Sequence, residues 1–150
     1  MPIGANRSIC FFANTPTHII VDLAGAFSGS GTSLTTVVPS RLLDTRNGTG
    51  GWLGALGHTQ TVDLVVGGKA GVPAGAAAVV LNVTVTNTNG PGYLTVYPCG
   101  GTVPVASNLN FTAGETRANL VTVQLGTGGK VCFYSYGRAS VIADITGYLT

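Results

Sequence analysis

Few side chains in this 150-residue sequence could do chemistry. The histidines are His18 and His58, and the acids are Asp22, Asp44, Asp63, Glu115 and Asp144. A hydrolytic centre needs a nucleophile beside a base that a third group orients. His58 sits in a glycine-rich loop, GALGHTQ, and no serine occupies a G-x-S-x-G elbow. Asp22 and Asp144 are equivalent positions of an internal repeat described below, which gives both a structural reading. The remaining Asp44, Asp63 and Glu115 are too few and too scattered for a paired-carboxylate glycosidase. There is no DxDxDG run for calcium and no CxxC or histidine-rich spacing for zinc. The expectation is a non-catalytic protein with no metal and no cofactor.

Binding chemistry is better represented. Asp44 and Arg46, in LLDTR, could grip a ligand as carboxylate and guanidinium, or fix a strand crossing as a two-pronged ion pair. In so charge-poor a chain the ion pair is the expected role, with Asp144 as a partner for Arg46 or for backbone amides. Trp52, in GTGGWLGALG, either plugs the core or offers its flat face to a sugar ring, whose polar rim and apolar faces suit aromatic platforms. The plug is the expected role. Tyr136, in the turn-like YSYGR, is the second platform candidate, whereas the strand tyrosines are expected to close the core. The candidate ligand-binding set is therefore Trp52, Arg46, Asp44 and Tyr136.

The elements that must position these residues are strands. Charged residues make up 8% of the chain and hydrophobic ones 45%, against roughly 25% charged in an ordinary domain. That excludes a charge-rich disordered chain. The seven Lys and Arg residues are scattered and the net charge is +2, which argues against a nucleic-acid face. No apolar run reaches the length of a membrane span, and MPIGANRS has neither part of a secretory signal. Strand signals recur over 35–44, 61–66, 77–86, 92–97, 107–111, 118–125, 130–134 and 140–148, with Gly- and Pro-rich connections and no sustained helical period. GVPAGAAA, residues 71–78, could hold one helical turn. The pattern predicts an all-β fold, an antiparallel β-sandwich of jelly-roll type, with a barrel as the alternative.

The two ends of the chain resemble each other. Residues 1–28 align without a gap on residues 123–150, matching Gly4/Gly126, Cys10/Cys132, Phe11/Phe133, Ile20/Ile142, Asp22/Asp144 and Gly25/Gly147. A fixed offset is the mark of a tandem array. Residues 1–27 are read as the closing hairpin of a preceding repeat, 28–33 (SGSGTS) as a linker, and 34–150 as a complete module. A hairpin duplicated to fill a sheet of the same domain is the alternative.

Of the three cysteines, Cys99 and Cys132 fall within the module and are expected to form a disulfide, the alternative being two buried free thiols. Such a bridge implies an oxidising compartment. Cys10 repeats Cys132, so its partner would belong to another module, and it is expected to be free.

The opening PSRLLDTRNGTG (Pro39–Gly50) and the close ADITGYL (Ala143–Leu149), echoed upstream by VDLAGAF, carry a resemblance. With the intervening ASNLNFTAGETRANLVTVQLGTGGKVCFY, they make the chain similar to a repeat module found, often in tandem, in secreted and surface proteins of actinobacteria and related bacteria. The resemblance implies a non-catalytic module that accompanies hydrolase or peptidase domains, and it transfers no active residues. The expected function is a structural spacer or adhesion unit of an exported, extracellular or cell-surface bacterial protein. Its partners would be neighbouring modules or other copies, through sheet edges. The alternative is a carbohydrate-binding module for cell-wall or extracellular polysaccharide.

Overall fold

A computed structural model describes residues 6, 8, 10–21 and 33–150. Eight strands form in it: β1 (Leu34–Asp44), β2 (Gln60–Val65), β3 (Ala78–Thr86), β4 (Gly92–Pro98), β5 (Leu109–Phe111), β6 (Arg117–Gln124), β7 (Lys130–Tyr136) and β8 (Ser140–Leu149). They build two antiparallel four-stranded sheets, ordered β1-β8-β3-β6 and β2-β7-β4-β5. The pairs β4–β5, β3–β6, β2–β7 and β1–β8 nest outward around one folded-over ribbon, which is the strand order of a jelly roll. All eight predicted strands are present. The helical turn considered for residues 71–78 is absent, and turns and bends fill that stretch. No helix long and apolar enough to cross a membrane occurs among the described residues.

β3 shows why the sandwich closes. Its odd-numbered residues Val79, Leu81, Val83 and Val85 are fully buried, whereas Val80, Asn82 and Thr84 between them are half-buried on the outer face. Period-two alternation of β-branched residues is what a strand with one buried face requires. Opposite, Leu94 and Val96 of β4 and Val131 and Phe133 of β7 supply the second inner face. Each fully buried aliphatic side chain contributes about 1.5–3 kcal/mol to such a core.

The edge strands show the usual protections. β1 carries Pro39 and two register irregularities, both of which discourage pairing with another chain. One irregularity, at Leu42, shifts the strand so that Arg41 faces Asp144 while Leu43 still faces Ala143.

The Cys99–Cys132 disulfide is present, with Cα atoms 5.1 Å apart, and ties the end of β4 to β7. It lies with Tyr97 and Tyr134 in a small cluster separate from the main core. Gly126 lies hard against it: a Cβ there would collide with the backbone nitrogen and carbonyl of Cys99. Cys10 is free and exposed.

The hairpin expected over residues 1–27 lies largely outside the described residues. Within it, residues 10–21 form no strand and are exposed throughout. The linker, residues 28–33, is described only at Ser33.

Candidate functional site

None of the described pockets brings all four sequence-selected residues together. Asp44 and Arg46 lie where β1 ends, Trp52 caps the side of the sandwich, and Tyr136 ends β7 on the outer face of the second sheet.

Asp44 is an ion-pair hub. The end of β1 carries it inward, where it is 1% exposed. Arg46 donates from Nε to Oδ1 at 2.8 Å and from Nη2 to Oδ2 at 2.7 Å, and its backbone N–H adds a 3.1 Å bond to Oδ1. Arg41 adds a 3.2 Å bond from Nη1 to Oδ2. These hydrogen bonds, the Arg46 side chain's first among them, hold the carboxyl at about 2, below its ordinary 3.8, despite the opposing effect of burial. Asp44 and Arg46 thus form a two-pronged ion pair. The partner of Asp144 is a correction. Arg41, not Arg46, forks onto Asp144, with Nε–Oδ1 at 2.9 Å and Nη2–Oδ2 at 3.2 Å. The cause is register, because Arg41 and Asp144 are direct cross-strand neighbours.

Trp52 is half-buried against the core, and its indole N–H donates to the Gly54 carbonyl at 3.0 Å. That is the plug geometry, with the polar handle satisfied locally. One side borders a groove of about 570 Å³ together with Arg41, Asp63 and Lys69.

The outer face of the second sheet holds the site that sequence reasoning placed only in part. Leu94 and Val96 of β4 point inward, so Tyr93, Thr95 and Tyr97 point outward. In β7, Val131, Phe133 and Ser135 are inward, leaving Cys132, Tyr134 and Tyr136 outward. Pairing sets Tyr93 directly opposite Tyr136. Their rings stack with centroids 5.2 Å apart and planes within 9°. His58 packs against Tyr136 with ring centroids 4.1 Å apart, tilted by 59°, and Tyr134 leans towards Tyr93 at 6.2 Å. The result is an aromatic strip across β7 and β4, with Tyr136 itself 42% exposed. Tyr93 and Tyr134 therefore do not close the core, contrary to expectation: the shared face points away from it.

A groove of about 490 Å³ continues the strip, lined by Tyr93, Tyr134 and Asn110, by Val103–Ser107 and by Ile20 of the N-terminal segment. Its loop wall is fastened down. The buried Thr95 hydroxyl donates to the Ala106 carbonyl at 2.6 Å, and Asn108 accepts from the Val96 N–H at 2.7 Å. Val103 and Val105 nonetheless turn outward, and Val105 is fully exposed. Burial, then the neighbouring Tyr93, raises the Tyr134 phenol above its ordinary range.

Chemically, this face offers aromatic ring edges, aliphatic edges, phenol hydroxyls and a carboxamide. The serine of the strip's strand, Ser135, points inward, its hydroxyl donating to the Gly137 carbonyl at 2.7 Å. No cluster of three metal-ligating side chains occurs among the described residues. The signal that could have placed Tyr93 and Tyr134 outward was the alternation in GYLTVYP and VCFYSY, in which Leu, Val and Phe occupy one parity and Tyr the other.

No family model matches the chain, and no curated protein is significantly similar to it.

Proposed function

We propose that this chain is a non-catalytic adhesion module of an exported bacterial surface protein, and that it binds polysaccharide through the outer face of its second sheet. The observation that carries this reading is the strip of His58, Tyr136, Tyr93 and Tyr134, partly open to solvent and set on a floor of buried strands. Aromatic side chains are large apolar surfaces that fold inward unless something holds them out, and an exposed group of them marks a binding surface. Sugar rings suit it, since they pair apolar C–H faces with a rim of hydroxyls that phenols and amides can bond. The support of Thr95 and Asn108 preorganises the groove, which lowers the entropic cost of binding. The disulfide fits an oxidising, extracellular setting, as does the resemblance of the RLLDTR opening and D-x-x-G-Y close to surface-protein repeats.

The spacer reading keeps one observation of its own, the correspondence of residues 1–28 with 123–150. The two are separable. Pull-down on insoluble wall polysaccharide that is lost in Tyr93→Ala, with the circular dichroism spectrum unchanged, supports binding. No retention on any polysaccharide by the native chain favours the spacer.

A further inference from the structure

Beside the aromatic strip, at the end of the sandwich, lies a smaller pocket of about 300 Å³ with a different character. Thr45, Arg46, Asn87, Arg138 and Ser140 line it, with Leu53 and Gly54 at its rim. Two of the seven cationic residues of a charge-poor chain share this one depression. The acid nearest to it is already spent. Both Asp44 oxygens accept from guanidinium groups, and Asp44 is buried beneath Arg46. Arg46 Nη1 has no hydrogen-bond partner among the described residues, its bonds to Asp44 using Nε, Nη2 and the backbone N–H. Arg138 is exposed and forms no ion pair among the described residues. Asn87 contributes a carboxamide that reaches Ser140 Oγ at 3.4 Å. Two guanidiniums, a carboxamide and hydroxyls around a small open pocket are the donors that suit a carboxylate or a phosphate.

The pocket and the strip are built from the same two chain segments. Residues 54–58 supply Gly54 and Ala55 to the pocket and His58 to the strip. Residues 136–140 supply Tyr136 to the strip and Arg138 and Ser140 to the pocket. The segments are clamped together by reciprocal backbone bonds between Leu56 and Ala139, at 2.8 and 3.2 Å. Thr45 is locked to Val141 in the same way, accepting its N–H on Oγ1 at 2.9 Å and donating its own to the Val141 carbonyl at 3.0 Å. The cationic pocket and the aromatic strip are thus built on the same clamped segments.

We propose that this pocket receives the anionic group of an acidic polysaccharide, with Arg138 and Arg46 gripping the charge while the sugar rings lie along Tyr136 and Tyr93. The inference rests on the glycan-binding reading and narrows it to polymers that carry a carboxylate or a phosphodiester. The two sources share one chemistry, a compact oxyanion on a sugar-containing chain.

The test is titration of the full chain with three polymers: a neutral glucan, a polyuronate and a sugar-bearing poly(glycerol phosphate), each at low and high salt. The expected result is at least about tenfold tighter binding of one or both acidic polymers than of the glucan, the scale of a charge-assisted contact. High salt should diminish that preference, because these guanidiniums face solvent. Arg138→Glu should abolish it. Lys69→Glu, the same charge change at a residue with no ion pair among those described, should leave it within about twofold. The polymer preferred by the native chain assigns the source as carboxylate or phosphodiester, and equal preference supports the shared chemistry. Binding of the glucan as tight as that of the acidic polymers overturns the proposal, as does an Arg138→Glu protein that keeps the preference. If Tyr93→Ala leaves acidic-polymer binding intact while Arg138→Glu removes it, the stacking reading fails and the anion pocket stands. Binding to none of the polymers overturns both.

Discussion

Tyr93 and Tyr136 face each other across β4 and β7 with rings parallel to within 9° and 5.2 Å apart, on the side of the sheet turned away from the core. Stacked cross-strand aromatics stabilise a sheet by about 0.5–1.5 kcal/mol, so this pair serves the fold as well as a ligand. Tyr93→Ala should therefore lower stability by about 1 kcal/mol and polysaccharide affinity at least about tenfold, a loss typical of a central aromatic anchor. Tyr93→Phe should keep the stability and separate ring stacking from hydroxyl bonding. Chemical denaturation and affinity electrophoresis on the same samples check both.

Acid should weaken the junction at Asp44. Its carboxyl is depressed from 3.8 to about 2 in the folded state, so the unfolded chain takes up a proton first as the pH falls. The stability this provides is complete above about pH 4 and disappears as the pH drops through about 2, and it amounts to about 2 kcal/mol. Asp63 and Glu115 are shifted in the same direction by Lys130 and Arg117 and add to the slope. Asp44→Asn should flatten the low-pH part of a urea-midpoint-against-pH curve. An unchanged curve would show that the fork contributes nothing to stability.

The disulfide spans 33 positions, and closing a loop of that length is worth about 3–4 kcal/mol in the unfolded-chain entropy account. Cys132→Ala, or reduction, should lower unfolding stability by that order. Cys10→Ser should leave it within about 0.5 kcal/mol, as for exposed surface positions. Urea melts of the three proteins provide the comparison.

Trp52→Ala should cost about 2 kcal/mol, the worth of a partly buried aromatic side chain that closes a core, and leave polysaccharide binding within about twofold at temperatures where the protein remains folded. Loss of binding with undiminished stability would reassign the site to the groove bordered by Trp52, Arg41 and Lys69.

Much of this molecule was legible from local pattern. Alternation in AVVLNVTVT announces β3, the NTNGP stretch announces the turn into β4, and Cys99 and Cys132 announce a bridge. Asp44 and Arg46, two positions apart, had only to turn towards each other to pair. Arg41 and Asp144 are 103 positions apart, and nothing local selects Arg41 over Arg46 for that acid. The irregularity at Leu42 does so by setting the register. Tyr93 and Tyr134 were visible as strand residues and Tyr136 as a turn residue. The alternation with Leu94, Val96, Val131 and Phe133 pointed the tyrosines outward, but only the packing of the two sheets decides it, because both parities of a strand can be buried.

The sequence by itself determined the eight strands between residues 34 and 150, the class of fold and the poverty of reactive groups, since these follow from period-two patterning, turn chemistry and composition, all properties of neighbouring residues. Only the tertiary structure decided which face of β4 and β7 meets solvent, which arginine holds Asp144, and that Arg46, Arg138 and Tyr136 lie around one end of the sandwich. Those relations depend on how distant strands pair and how two sheets pack. Register and facing are collective outcomes of burying the whole core, and no single segment carries them.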